Sequence, residues 1–71
     1  MNRIEKTIAK NIGYYIKQLR KGRYSQIELA KEIGVSQSTI AQLESGRKLP
    51  GVYNLYLLEK ALGSIWGHGN E

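Results

Sequence analysis

Apolar residues recur along the first part of the chain at helical spacing. Ile4, Ile8, Ile12, Ile16 and Leu19 follow one another at intervals of four, four, four and three, which places them on one face of a helix turned towards a core. Lys6, Lys10, Lys17 and Lys21 are offset from that stripe and form a polar face. Gly13 interrupts the pattern, at a cost of about 1 kcal/mol against alanine in a helix interior. Two readings of it stand: a point of close helix contact, or a boundary behind an N-terminal arm, for which residues 1–6 are the candidate segment. Lys21-Gly22-Arg23 then marks a helix end, with cations in the last turn and a glycine suited to a left-handed cap.

Ser25 to Glu28 is an S-x-x-E capping box, in which the serine oxygen accepts from the third amide of a new helix and the glutamate reaches back to the cap amide. Ile27, Leu29, Ala30 and Ile33 are predicted to carry the buried side of that helix, and Gly34 to stop it. Ser36 starts the next helix, in which Ile40 and Leu43 are the inward anchors, and Ser45-Gly46 ends it. The two helices and their glycine turn cover about residues 25–45. Arg47-Lys48-Leu49-Pro50-Gly51 is a basic loop. From Val52 to Leu62 the pattern Val52, Leu55, Leu58, with Tyr56, Leu57, Ala61 and Leu62, predicts a further buried helix stopped by Gly63. Beyond it a short turn and a frayed, flexible tail over residues 67–71 are expected. Trp66 is expected to pack with Ile65 and Leu62, a dimer interface being the competing place for it. Tyr14, Tyr15, Tyr53 and Tyr56 read as half-buried or interfacial.

Seventy-one residues make one domain near the lower limit for independent folding. There is no cysteine, so neither a disulfide nor cysteine-ligated zinc can staple it, and the core must come from helix packing, with dimerisation as support. No stretch approaches the roughly 18 apolar residues of a membrane span. The segment Met1 to Lys6 is too polar to open a signal peptide, so a cytoplasmic location and no membrane partner are expected. The formal charge of +5 favours a polyanionic partner, although small basic domains also carry such charge for solubility alone. His68 is the single histidine and reads as a solvated tail residue. With no paired nucleophile and base and no carboxylate cluster, the chain has no recognisable active site. No enzymatic activity, metal or cofactor is expected.

The run Ser25-Gln26-x-x-Leu29-Ala30-x-x-Ile33-Gly34-Val35-Ser36-Gln37-x-Thr39-Ile40-x-x-Leu43-Glu44-x-Gly46-x-x-x-Pro50 resembles the helix-turn-helix domain of the lambdoid phage repressor and Cro family, the XRE-type family. The resemblance covers roughly residues 12–66. It implies an all-α, lambda-repressor-like bundle of four to five short helices. The third, about Gln37 to Glu44, would enter the DNA major groove with its N-terminal residues at the base edges. Gln37 is then the leading base reader, since a glutamine amide pairs in bidentate fashion with adenine N6 and N7. Ser38 comes next, Gln42 lies far enough along to reach the other end of a half-site, and Thr39 would meet a thymine methyl or a phosphate. Gln26, eleven residues before Gln37, takes by this resemblance the role of touching a phosphate and steadying Gln37. Ser36, Ser45, Arg47 and Lys48 are the remaining phosphate candidates. Arg20 and Glu44 correspond to an ion pair that ties the groove-reading helix to the scaffold. Lys21 and Arg23 are assigned to the end of helix one, ahead of phosphate contact. Two departures from the family stand out: the link from Arg20 to Ser25 is one residue shorter than usual, and a fifth helix is weakly written after Gly63.

The function so implied is that of a sequence-specific, double-stranded-DNA-binding transcriptional regulator. A repressor from a phage, mobile element or bacterial chromosome is the leading form, bound to a palindromic operator as a homodimer. Control would come through abundance, dimerisation or another protein such as a toxin or antirepressor. The alternative is the antitoxin of a toxin–antitoxin pair that also represses its own operon. A basic amphipathic segment at a membrane surface ranks last, because it leaves the spacing of Gln26 and Gln37 unexplained.

Overall fold

Four helices make up the described residues 1–65 of the computed structural model: α1 Arg3–Arg20, α2 Gln26–Ile33, α3 Gln37–Glu44 and α4 Val52–Leu62. Trp66, His68, the tail 67–71 and any fifth helix beyond Ile65 lie outside the described residues. The all-helical expectation therefore holds for the part described.

The first helix begins earlier than an arm over residues 1–6 would allow. The Asn2 side chain accepts from the Glu5 amide at 2.8 Å, and the Glu5 carboxylate accepts from the Asn2 amide at 2.9 Å. This capping box starts α1 at Arg3, so residues 3–6 belong to the helix. The apolar stripe reaches the core only from Ile8 onward: Ile4 is 72% exposed, whereas Ile12 and Ile16 are buried. Ser25 closes a second capping box with Glu28, at 3.0 and 2.7 Å, and so opens α2. Gly34 ends α2 in the left-handed conformation, at φ 77° and ψ 34°. That conformation suits glycine and turns the chain so that Ser36 can cap α3.

Leu29, Ala30 and Ile33 of α2, Ile40 and Leu43 of α3, and Leu58 and Leu62 of α4 close over Ile12 and Ile16 of α1, with Ile65 completing the cluster. Fully burying a leucine or isoleucine stabilises by about 1.5–3 kcal/mol, so this cluster is the main source of stability. Besides Ile4, three more residues predicted for the core are exposed outside it. Ile27 is half exposed, Val52 is 88% exposed and Tyr56 is 60% exposed. Each lies well round its helix from the face that packs, because helical neighbours in sequence point in different directions. Short helices packed on one side leave the rest of their circumference to solvent.

Gly13 sits inside α1 at its crossing with α3. A methyl group there would overlap the Leu43 carbonyl oxygen and stand 2.7 Å from that of Glu44. Of the two readings of Gly13, close helix contact is the one realised, and the helix runs unbroken through it. Arg23 also differs from its expected place. Its Nη1 donates to the Leu62 carbonyl at 3.2 Å, satisfying an orphan acceptor at the end of α4, not of α1. The turn after Arg20, closed by Arg23 and Tyr24 amides donating to the Arg20 carbonyl at 3.0 Å, carries Arg23 across to that helix.

The Gly13→Ala variant gains helix propensity yet has no room for its methyl. It is expected to lower stability by about 1–3 kcal/mol, read as a shift in the urea unfolding midpoint. An unchanged or raised midpoint would show that α1 and α3 can separate freely.

Candidate nucleic-acid interface

The outward surface of α3 follows from which residues its neighbours claim. Ile40 and Leu43 point into the core. Gln37, Ser38, Ala41 and Gln42 are exposed, and their spacing of i, i+1, i+4 and i+5 puts them on one stripe. Ala41 was not singled out from the sequence. Its place four residues after Gln37 is the signal that would have found it, and an alanine there offers an apolar contact to a thymine methyl.

The start of α3 is capped differently from those of α1 and α2. Ser36 Oγ accepts from the Thr39 amide at 3.1 Å and pairs with Thr39 Oγ1 at 3.0 Å. The third residue of α1 and of α2 is a glutamate that closes a capping box, whereas α3 has Thr39 there and no acidic residue in its first turn. The partial positive charge of that helix end is thus left uncompensated by a carboxylate. Between Ile33 and Leu58 the only carboxylate side chain is Glu44.

Glu44 is drawn inward. Arg20 donates to it from Nε at 2.5 Å and from Nη2 at 3.2 Å, and the two side chains are only 12% and 5% exposed. Arg20 Nη1 donates to the Tyr24 carbonyl at 3.1 Å. The Gln26 amide nitrogen donates to Glu44 Oε1 at 3.0 Å, and Gln37 Nε2 donates to Gln26 Oε1 at 3.4 Å. Arg20, Glu44, Gln26 and Gln37 therefore form one connected series across α1, α2 and α3.

The loop after α3 leaves through Ser45, whose hydroxyl donates to the Gln42 carbonyl at 3.1 Å. The Arg47 amide donates to the same carbonyl at 3.0 Å. Gly46 lies against Lys10, whose Cγ and Cα would stand 2.9 and 3.0 Å from a Cβ on Gly46. Arg47 and Lys48 are exposed beyond it. Lys10 is a cation the sequence grouped with the general polar face of α1, and the fold sets it beside the basic loop. Of the residues singled out from sequence, Gln37, Ser38 and Gln42 share the open stripe. Gln26 stands behind Gln37, while Ser36 and Thr39 are hydrogen-bonded to each other. Ser45, Arg47 and Lys48 line the exit of α3.

A family model described as helix-turn-helix matches residues 16–65, which spans α2, the glycine turn, α3 and α4. The chain belongs to the Cro/C1-type, XRE-like helix-turn-helix family. Members of this family are DNA-binding regulator domains. No curated protein matches the chain. Among the described residues no helix is long and apolar enough to cross a membrane.

Removing Glu44 leaves a largely enclosed guanidinium without its counter-charge. The Glu44→Ala variant is expected to lose about 3 kcal/mol of stability, measured by chemical denaturation. A loss below about 1 kcal/mol, the range of exposed pairs, would mean that water already solvates Arg20.

Proposed function

We propose that this helix-turn-helix protein is a transcriptional repressor that reads a palindromic operator as a homodimer, with α3 in the major groove. The observation that carries the reading is the exposed stripe Gln37, Ser38, Ala41 and Gln42, backed by Gln26 and free of unpaired carboxylate. Gln37 reads adenine through its amide. Ser38 and Gln42 contact bases further along the half-site, and Ala41 packs on a thymine methyl. Thr39, its hydroxyl engaged by Ser36, offers its methyl group to a neighbouring thymine.

Gln26, Ser36, Ser45, Arg47, Lys48 and Lys10 hold the phosphates on either side, which positions the helix without selecting sequence. Dimerisation is supported by the exposed face of α4 at Val52, Tyr53 and Tyr56, which adjoins the loop leaving α3. Two copies joined there present their third helices to half-sites about one helical turn apart. Occupancy of the operator then blocks the polymerase.

Selection of bound duplexes from random DNA is expected to return a palindromic consensus, and the same selection with Gln37→Ala to relax it at an adenine. A consensus unchanged by Gln37→Ala would remove that residue from base reading. For the phosphate contacts, Arg47→Ala and Lys48→Ala each remove one contact per protomer and are expected to make the log–log dependence of affinity on salt shallower by about 1.8 for the homodimer, at about 0.9 per contact, with sequence preference retained. A salt slope unchanged in both variants would detach the loop from the DNA strand.

A further inference from the structure

We infer that Arg20 and Glu44 are specificity-determining positioning residues. Through Gln26 they set which end of the Gln37 amide donates and which accepts at the base edge. The inference rests on the base-reading role of Gln37 proposed above and extends it to two residues that do not reach the base.

A glutamine amide has nearly the same shape in two orientations related by a half-turn about its last bond, but the half-turn exchanges donor and acceptor. At a fixed position only one orientation suits adenine, whose N7 accepts and whose N6 amino group donates. The other sets acceptor against acceptor and donor against donor. A lone surface glutamine samples both orientations.

In this fold the choice starts from a group that has no alternative. Glu44, paired through both oxygens with Arg20, is a carboxylate and only accepts. The end of Gln26 that lies 3.0 Å from Glu44 Oε1 must therefore be its NH2 group. That fixes the Gln26 carbonyl oxygen on the opposite side, where Gln37 Nε2 donates to it at 3.4 Å. One N–H of Gln37 is used inward, and its second N–H and its carbonyl oxygen are left for a base. The last bond is long for its type, so the series biases the Gln37 amide without locking it. Arg20 is itself held by the Tyr24 carbonyl, which anchors the series in the turn after α1. Acceptor-only chemistry at Glu44 is thus passed through two amides to the base edge.

The test compares the full chain with Gln37→Ala, Glu44→Gln, Gln26→Met and the Glu44→Gln/Gln37→Ala double variant. The readout is discrimination, the affinity for the selected operator divided by that for operators changed at one base pair. Gln37→Ala identifies the pair that Gln37 reads. Glu44→Gln keeps the shape but offers either donor or acceptor to Gln26. It is expected to lower discrimination at that pair about three- to tenfold, out of the roughly 5- to 150-fold of a bidentate contact, and to spare the other pairs. Gln26→Met removes the relay with the Arg20–Glu44 pair intact and is expected to do the same, so the test is readable even if Glu44→Gln folds poorly. Any phosphate bond that Gln26 makes is absent from the Met variant on every operator alike, so it cancels in the ratio. In the Gln37→Ala background, Glu44→Gln is expected to have no further effect at that pair. Full discrimination in Gln26→Met, or an equal loss at every pair, would overturn the relay alone. If Gln37→Ala relaxes no pair, the base-reading role and the relay fall together.

Discussion

The crossing of α1 over the C-terminal end of α3 governs the rest of the molecule. Gly13 brings the backbone of α1 against the carbonyls of Leu43 and Glu44, closer than any side chain would permit. Within one stretch of α1, Lys10 meets Gly46, Gly13 meets the last turn of α3, and Arg20 meets the Glu44 carboxylate. The far end of α3 is braced from the other side by α2, through the Gly34 turn and the enclosed Leu29, Ala30 and Ile33. An eight-residue helix is too short to be stable alone. Held at both ends, it presents its outer stripe as a rigid surface, which lowers the ordering cost of docking.

Electrostatics follow from the same crossing. The protein has six carboxylate side chains against eleven basic ones, and several of the acids are placed where they serve the fold. Glu5 and Glu28 close capping boxes. Glu59 accepts from the Ile65 amide at 2.9 Å, which folds the chain after α4 back onto the core. Glu44, the one acid on α3, is covered by Arg20. The outward surface of α3 therefore carries amides, hydroxyls and a positive helix end, with no unpaired carboxylate. The buried pair adds little net stability by itself, and its use lies in removing a repulsive charge from the outward surface while holding α3 to α1.

Much of this was legible along the chain. The serine-started helices, the glycine between them and the bounds of α4 are local: each depends on a cap, a stop or a period that neighbouring residues supply. The Gln26 and Gln37 spacing was legible for a related reason, since it spans one short helix and one short turn. The second capping signal, Asn2 with Glu5, stood in the sequence too, and outweighed the arm that Gly13 had made an alternative.

Other features were settled by packing between elements distant in the chain. Ile4, Ile27, Val52 and Tyr56 carry the apolar character of core residues, yet which side of a short helix is covered depends on what lies opposite it, and that is a property of the assembled bundle. Arg23 follows α1 in sequence but serves the end of α4, because the turn after Arg20 sets the two ends side by side. Local order thus wrote the helices and their caps and marked the candidate reading residues, since hydrogen bonds and spacing among near neighbours specify these. Three-dimensional assembly chose the exposed faces, made Gly13 a contact point and joined Arg20, Glu44, Gln26 and Gln37 into one series, since those relations exist only once separate helices come within bonding distance.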